Sequence, residues 1–161
     1  MGGEKKKRWV AWLLRAPVSL YRWRLGWVLG KRFLLLSHVG RRTGVRHQAV
    51  LEVMEYREDG PEAVVMSGFG RGSAWLRNIE ARDGEEVDVG RRHFVACHRF
   101  LEEKEAVGVL AGYERRNRFM APVVRAVLSR LLGWTYRGGD EERRRVVRQL
   151  PLVGFRPKGS E

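Results

Sequence analysis

The sequence predicts an α+β protein whose short strands form an antiparallel sheet or a small barrel. Short apolar runs bounded by glycine-rich turns are typical of strands joined by hairpins. Longer amphipathic stretches, typical of helices, do not alternate with every strand, which disfavours a parallel doubly wound sheet. The length of 161 residues suits a single domain over residues 1–161. Residues 1–29 form its basic N-terminal segment and residues 30–157 its core.

The N-terminal segment combines most of the excess positive charge with an amphipathic pattern. Residues 1–46 contain twelve basic residues against the single acid Glu4, so they carry +11 of the formal charge of +13. Four tryptophans there follow the 3.6-residue period of a helix: Trp9, Trp12, Trp23 and Trp27. Pro17 splits the pattern into two helices, and no apolar stretch is long enough to span a membrane. We expect the segment to pack on the core or, through residues 5–29, to contact an anionic membrane surface.

The remaining elements follow from local patterns. Apolar runs between turns predict six strands, over residues 32–38, 46–56, 63–66, 87–89, 93–100 and 152–155. Amphipathic periodicity predicts four helices, over residues 74–81, 102–119, 122–133 and 140–149. Ser73 is expected to cap the first of these helices with its hydroxyl, and Pro122 to open the third.

Residues 40–44, which read Gly-Arg-Arg-Thr-Gly, are the first candidate site. Both glycines permit a positive φ, so backbone N–H groups can converge on an anion. The guanidinium groups of Arg41 and Arg42 and the hydroxyl of Thr43 can add charge-assisted hydrogen bonds to phosphate or carboxylate. A surface hairpin with two solvated arginines has the same sequence, so the pattern alone leaves both interpretations open.

A second glycine-rich stretch, residues 67–73, lies between a predicted strand and a predicted helix, as phosphate-binding loops do. It lacks the full dinucleotide fingerprint, and a flexible connection is the alternative. In the helix that follows, Trp75 offers a flat apolar surface and Asn78 a side-chain amide. A core tryptophan and a local hydrogen bond are the alternative roles for these two residues.

Several kinds of site are disfavoured. The four histidines lack the spacing of metal ligands, and His93 and His98 lie on opposite faces of one strand, so we expect no metal site. Cys97 is the single cysteine, which excludes an internal disulfide and a cysteine cluster and favours a reducing compartment. We expect Cys97 to lie in the core. No motif for nucleophilic catalysis is present.

Five motifs together resemble the deazaflavin-dependent nitroreductase family, whose members are also described as quinone reductases that use reduced coenzyme F-420. The motifs lie at residues 19–22, 30–36, 38–44, 67–70 and 75–78, and the likeness extends over about residues 17–156. The resemblance implies a split β-barrel like that of FMN-binding oxidoreductases. It also implies bound coenzyme F-420, an 8-hydroxy-5-deazaflavin with a phosphate and an oligoglutamate tail that would explain the basic sequence. FMN is the less favoured cofactor.

The same resemblance implies site residues. Those that would bind the cofactor are Lys31, Arg32, His38, Gly40, Arg41, Arg42, Thr43, Gly44, Arg46, Gln48, Ala49, Met66, Ser67, Gly68, Phe69, Gly70, Ala74, Trp75 and Asn78. Tyr113, Ser67 or solvent would supply the proton that accompanies hydride transfer. After Tyr113, Arg116 and Phe119 stand where nitroreductase members have tyrosines.

The implied activity is hydride transfer from reduced coenzyme F-420 to a quinone, a nitroaromatic or a similar electron-poor acceptor. The protein would be cytoplasmic, with peripheral contact at the inner face of the cell membrane, and fold-level analogy favours a homodimer. One alternative is a split-barrel protein that binds a deazaflavin, FMN or haem without catalysis. Nucleic-acid binding is a remote alternative, because the aromatic residues follow a helical core pattern and no nucleic-acid motif is present.

Overall fold

A computed structural model describes residues 30–82 and 84–160 of the chain. Six strands close into a barrel in the order β1-β2-β3-β6-β5-β4, and every pairing is antiparallel. Their bounds are β1 Phe33–Val39, β2 Arg46–Arg57, β3 Glu62–Met66, β4 Glu86–Val89, β5 Arg92–Phe100 and β6 Leu152–Pro157. The predicted split-barrel fold is confirmed. The two predicted N-terminal helices lie outside the described residues.

Four helices accompany the barrel: α1 Ala74–Ala81, α2 Glu103–Arg116, α3 Ala121–Leu132 and α4 Asp140–Gln149. One of them differs from its prediction. The helix expected over residues 102–119 ends at Arg116, and a 3₁₀ turn over Arg118–Met120 leads into α3. Pro122 lacks the N–H that a continuous helix would need to bond the carbonyl of Arg118, so the chain starts a new helix.

Ser73 precedes α1 but does not cap it in the predicted way, because its hydroxyl makes no capping hydrogen bond to the helix. The Ser73 hydroxyl lies 2.6 Å from that of Ser67, whose own proton goes to the carbonyl oxygen of Gly70. A hydroxyl has one proton to give, so Ser73 is the donor in the Ser67–Ser73 hydrogen bond. The two hydroxyls therefore hold the glycine-rich loop between β3 and α1.

Two apolar cores stabilise the fold. One fills the barrel and includes Leu36, and the other lies between the outer face of the barrel and helices α2, α3 and α4 and includes Leu110. Cys97 belongs to neither core. It is exposed on β5, so the prediction that it packs in the core is wrong. Its neighbour Ala96 points into the barrel, and strand alternation therefore turns Cys97 outward.

An ion cluster around the buried Glu62 joins β2, β3, β5 and β6. Glu62 is 1% exposed and accepts hydrogen bonds of 2.7–3.0 Å from Arg57, Arg99 and Arg156. Burial alone would raise the pKa of Glu62, but the hydrogen bonds from Arg99 and Arg156 hold it below its usual range. Glu105 of α2 shares two of these arginines, and the hydrogen bonds from Arg99 lower the pKa of Glu105 to about 2.

Candidate active site

A cavity of about 450 Å³ lies between the open end of the β1–β2 hairpin and helices α2 and α3. Its volume falls within the range of about 300–1,000 Å³ that is usual for small-molecule sites. Most of its wall is apolar and comes from Phe33, Met54, Met66, Gly68, Met120, Val123, Val124, Val127, Leu128 and Leu131. The polar groups in the wall are few, namely Arg32, Glu52, Tyr113 and Asn117.

Strand alternation and helix periodicity build this wall. On β2, Val53 points into the barrel, so Glu52 and Met54 on either side of it point outward toward the helices. Phe33 of β1 lies directly opposite Glu52 in the strand register. On α3, cavity-lining residues recur at a spacing of four and share one side of the helix: Val123, Val127 and Leu131.

Tyr113 and Glu52 form a polar edge of the cavity. The Tyr113 hydroxyl donates a hydrogen bond of 2.8 Å to the Glu52 carboxylate. Burial raises the pKa of the Tyr113 phenol, and the hydrogen bond to Glu52 and its negative charge raise it further. The positive charges of Arg32 and Arg116 act in the opposite direction and are weaker. The phenol therefore keeps its proton at neutral pH.

The cavity brings together four of the predicted site residues: Arg32, Met66, Gly68 and Tyr113. Ser67 does not line it. The Ser67 residue is 0% exposed, its proton goes to Gly70, and its oxygen accepts a hydrogen bond from Ser73. Ser67 thus supports the loop that carries its two cavity-lining neighbours, Met66 and Gly68.

The basic turn over residues 40–44 lies at the opposite end of β1. This strand has seven residues and spans about 20 Å at about 3.3 Å per residue. At that end, the Asn78 side-chain oxygen accepts hydrogen bonds of 3.1 Å from both the backbone N–H and the guanidinium of Arg41. The Asn78 amide nitrogen in turn donates to Nδ1 of His38, also at 3.1 Å. A buried amide therefore holds the Arg41 guanidinium in place.

His38 fixes the orientation of that amide. Burial lowers the pKa of His38, and the nearby charge of His47 lowers it further. The two imidazole rings are stacked with centroids 5.8 Å apart. His38 is therefore neutral at neutral pH, and because its Nδ1 accepts from Asn78, its proton lies on Nε2.

Hydrogen bonds within the basic turn use several of its backbone N–H groups. Of its two glycines, only Gly44 has a positive φ, of 68°. The N–H groups of Gly40 and Gly44 donate to the carbonyls of Val45 and Gly40, and the N–H of Val45 bonds the Thr43 hydroxyl. These N–H groups close the turn, and its two arginine side chains supply positive charge that could bind an anion.

The other predicted cofactor-binding residues are dispersed. Three contact other side chains: Lys31 binds Glu58 and Arg46 binds Glu86 at the surface, and Gln48 binds the buried Ser37. Three more are exposed, namely Arg42, Phe69 and Ala74. Ala49 is half-buried and Gly70 is buried, and neither lines the cavity. Trp75 packs on the barrel core beside Phe155, which is the alternative role considered for it.

Sequence reasoning missed Glu52 and the apolar side of α3. In the sequence, Glu52 indicates only the exposed face of a strand, because its partner Tyr113 is remote in the chain. The sequence did contain a signal for the apolar side of α3. Leu128 and Leu132 pack in the core, yet the helix carries further exposed apolar residues, including Val123 and Val127. Apolar residues beyond one buried stripe indicate a second apolar surface.

Two further structural findings concern residues 30–82 and 84–160. No group of three or more His, Cys, Asp or Glu side chains in these ranges is placed to hold a metal ion. Instead, His93 binds the Asp88 carboxylate at 2.8 Å and His98 binds that of Glu85 at 2.6 Å. Within the same described ranges, no helix has the length and apolar character needed to cross a bilayer.

A sequence profile of the F420H(2)-dependent quinone reductase family matches residues 3–124. The chain belongs to this family. It is an F-420-dependent reductase, and its cofactor is coenzyme F-420, as the resemblance implied. Among curated proteins, no sequence gives a significant match to this reductase.

Solved structures share the fold of the reductase. The F420-H2 dependent reductase FDR-A superposes with a TM-score of 0.50 at 16% identity, over 78% of this chain and 95% of that chain. A protein of unknown function from Agrobacterium tumefaciens gives a TM-score of 0.52 at 12% identity, over 80% of this chain and 49% of its own. A structure described as a domain-swapped dimer gives 0.50 at 15% identity, over 86% and 98% of the two chains. At these identities the likeness concerns the fold.

Proposed function

We propose that this reductase transfers a hydride from reduced coenzyme F-420 to a quinone in the cavity beside Tyr113. The composition of the cavity carries the proposal: its apolar wall suits planar, lipid-soluble molecules, and its few polar groups can orient them. The same features fit the planar ring of the cofactor, which Met66 and Gly68 would contact. When bound, the reduced deazaflavin supplies the hydride.

In this proposal the apolar wall excludes water and Tyr113 supplies the proton. A hydride added to a quinone leaves a negative charge on an oxygen, and one proton then completes the hydroquinone. Within the described chain, Tyr113 carries the one hydroxyl that lines the cavity, and its raised pKa keeps the proton in place until that charge develops. Glu52 is exposed and connects the phenol to solvent, from which the proton is replaced. Ser67 is not needed, since it is buried and does not line the cavity.

We also propose that the basic turn binds the anionic tail of the cofactor. Arg41 is held by Asn78 and Arg42 is exposed, so the turn offers one positioned guanidinium and one adaptable guanidinium. Guanidinium groups match phosphate and carboxylate in charge and geometry. The separation of about 20 Å from the cavity suits an extended ligand whose ring and tail occupy different ends of the hairpin.

Peripheral membrane contact near the cavity is part of the proposal. Phe69 and Phe119 are 82% and 84% exposed, and both are chain neighbours of cavity-lining residues. Val123 and Val127, which line the cavity, are also exposed. Grouped exposed apolar side chains indicate an interaction surface, and the basic N-terminal segment would add attraction to anionic lipids. A lipid-soluble quinone would then enter the cavity from the bilayer.

The test combines binding and turnover. The full chain is titrated with coenzyme F-420 and, in parallel, with FMN, by fluorescence. Oxidation of reduced F-420 is then followed with a naphthoquinone and with a nitroaromatic compound as acceptors. Preferential binding of F-420 and faster turnover of the naphthoquinone support the proposal. Tight F-420 binding without naphthoquinone turnover rejects the quinone acceptor.

Two further parts of the proposal concern assembly and location. The likeness in fold to a structure described as a domain-swapped dimer supports a homodimer. Light scattering during size-exclusion chromatography tests it, and a mass of one chain at micromolar concentration rejects it. The free Cys97 supports a reducing, cytoplasmic location. Fractionation of cells that express the protein tests this location.

A further inference from the structure

A second cavity, of about 220 Å³, lies between the end of α2, the start of α3 and helix α4. Val124 is the one residue that it shares with the wall of the larger cavity, so the two spaces are distinct. Its wall contains four arginines: Arg115, Arg118, Arg125 and Arg143. Glu114 is the one acidic residue in this wall.

Glu114 neutralises only one of these arginines. Its carboxylate accepts hydrogen bonds of 2.8 and 3.1 Å from Arg143 and a further one from the hydroxyl of Tyr136. Arg143 also pairs with Asp140. The other three arginines form no salt bridge within the described ranges: Arg115, Arg118 and Arg125. The cavity wall therefore carries a positive charge that no nearby carboxylate balances.

Two features of the backbone affect this cavity: one adds to its positive charge, and the other restricts the position of Arg125. Ala121 opens α3 and lies in the cavity wall, so the positive end of the helix dipole borders the same space. Gly138 has a φ of 92°, and a Cβ there would lie 3.5 Å from the guanidinium of Arg125. The loop before α4 therefore passes close to Arg125 and limits the space into which this side chain can move.

We propose that this cavity binds a phosphate group, carried either by a soluble phosphate ester or by the headgroup of an anionic lipid. Arginine side chains that line one cavity repel one another, and a multivalent anion bound in the cavity reduces that repulsion. The planar fork of each arginine also matches phosphate oxygens in pairs. Arg125 and Arg143 lie beyond residue 124, where the family match ends. The proposal does not depend on the identity of the hydride acceptor.

Calorimetric titration with pyrophosphate tests the site on the full chain saturated with coenzyme F-420, at constant ionic strength. Arg125→Gln should weaken binding about tenfold, and the double variant Arg118→Gln/Arg125→Gln about a hundredfold. Arg130→Gln is the matched control, because Arg130 is an exposed arginine of α3 that does not line the cavity. The affinity of Arg130→Gln for pyrophosphate should equal that of the unmodified chain. Absence of saturable pyrophosphate binding, or an equal loss in Arg130→Gln, overturns the proposal.

A second variant keeps the test independent of any loss of folding. Ala121→Glu places a carboxylate among the arginines and at the N-terminal end of α3, where it also favours the helix. We expect this variant to melt at a higher temperature than the unmodified chain and to lose pyrophosphate binding. Unchanged pyrophosphate affinity in folded Ala121→Glu would show that the arginine cavity is not the site.

Vesicles distinguish the two sources of the phosphate group. Co-sedimentation compares the double variant with Arg130→Gln on vesicles that contain phosphatidylglycerol and on vesicles of phosphatidylcholine alone. A selective loss of binding to phosphatidylglycerol in the double variant supports the site and assigns it to a lipid headgroup. Equal vesicle binding, together with lost pyrophosphate binding, supports the site and assigns it to a soluble phosphate ester.

Discussion

The Tyr113 hydroxyl donates a 2.8 Å hydrogen bond to the carboxylate of Glu52, which lies 61 positions earlier in the chain. The contact joins α2 to the outer face of β2 at the edge of the large cavity. It raises the pKa of the phenol beyond the effect of burial. The described part of the cavity wall is thus mostly apolar and carries one hydroxyl, and the proposed hydride transfer to a quinone rests on this arrangement.

Replacing Tyr113 with phenylalanine should remove the proton donor and leave the shape of the cavity intact. We expect Tyr113→Phe to lower kcat for naphthoquinone reduction about 10²-fold, the lower end of the usual contribution of a positioned acid. The dissociation constant of F-420 should stay unchanged in fluorescence titrations. Tyr136→Phe is the matched control, because Tyr136 is a buried tyrosine bound to Glu114 and lies outside this cavity. A kcat loss of the same size in Tyr136→Phe would contradict the role of Tyr113.

The pH profile should report the influence of Glu52 on the phenol. Glu52→Gln removes a negative charge that raises the pKa of Tyr113, so this pKa should fall while burial keeps it above its ordinary value. Because the protonated phenol is the active form, the loss of kcat at high pH should begin at a lower pH than in the unmodified enzyme. Measurement of kcat between about pH 7 and pH 11 tests this. The unmodified enzyme should keep its kcat across this range, and an equally constant kcat in Glu52→Gln would contradict the role of Tyr113.

Binding of the cofactor tail should depend on Arg41 and on the amide that holds it. We expect Arg41→Gln to weaken F-420 binding about tenfold, with a smaller dependence of the affinity on salt. Asn78→Ala should weaken F-420 binding less, because it frees the Arg41 side chain but keeps its charge. Arg77→Gln, on the exposed side of the same helix as Asn78, is the control for net charge. Equal losses in Arg77→Gln and Arg41→Gln would indicate diffuse attraction instead of a site.

Acid should destabilise the barrel through the ion cluster around Glu62. The pKa values of Glu62 and Glu105 lie below their ordinary value of 4.5 in the folded state, and that of Glu105 is about 2. Their contribution is therefore fully present above about pH 4.5 and is lost as the pH falls toward 2. Urea unfolding at several pH values between 7 and 3 measures this loss. Glu62→Gln should cost roughly 1–3 kcal/mol at pH 7, because it removes charged hydrogen bonds to three arginines, of which Arg57 and Arg99 keep Glu105 as a partner.

A matched control for that prediction is Glu141→Gln, since Glu141 is exposed and outside the cluster. It should leave the free energy of unfolding nearly unchanged at every pH. If Glu62→Gln behaved like Glu141→Gln, the cluster would contribute no net stability.

A charge at the mouth of the large cavity should impair lipid contact and acceptor binding together. Val127 is exposed and lines the cavity, whereas its neighbour Ala126 is exposed and does not. We expect Val127→Asp to raise the KM for naphthoquinone and to reduce co-sedimentation with anionic vesicles. Ala126→Asp introduces the same charge one position away and should change the KM little. If both variants had similar effects, the added negative charge alone would explain the higher KM and the weaker vesicle binding.

Local sequence patterns were sufficient to predict the strands and helices. The apolar runs of β1 and β3 and the periodicity of α1 and α4 are set by neighbours within a few residues, so they can be read directly. The break between α2 and α3 was predicted from Pro122, but the end of α2 was placed three residues too late, because the amphipathic pattern continues through residues 117–119. Cys97 was misplaced because residue type predicts burial less well than the alternation of a strand does.

The site was predictable only in part. Met66, Gly68, Arg32 and Tyr113 were identified through the family resemblance, and the structure places all four in one cavity. Glu52 was not identified, because its significance depends on a partner that the fold brings to it. Asn78 was identified as a candidate site residue, but its contact with Arg41, 37 positions earlier in the chain, depends on the fold.

By itself, the sequence determined the order of elements, the family and the presence of a strongly basic turn, since these depend on residue type and on short-range spacing. Tertiary structure alone decided that the cavity and the basic turn lie at opposite ends of one hairpin. It also decided that Ser67 is committed to its own loop and that four arginines meet around a second cavity. The physical reason is that a hydrogen bond, an ion pair or a cavity requires groups to be close in space. The closure of the barrel and the packing of the helices set those distances, and local sequence preferences do not.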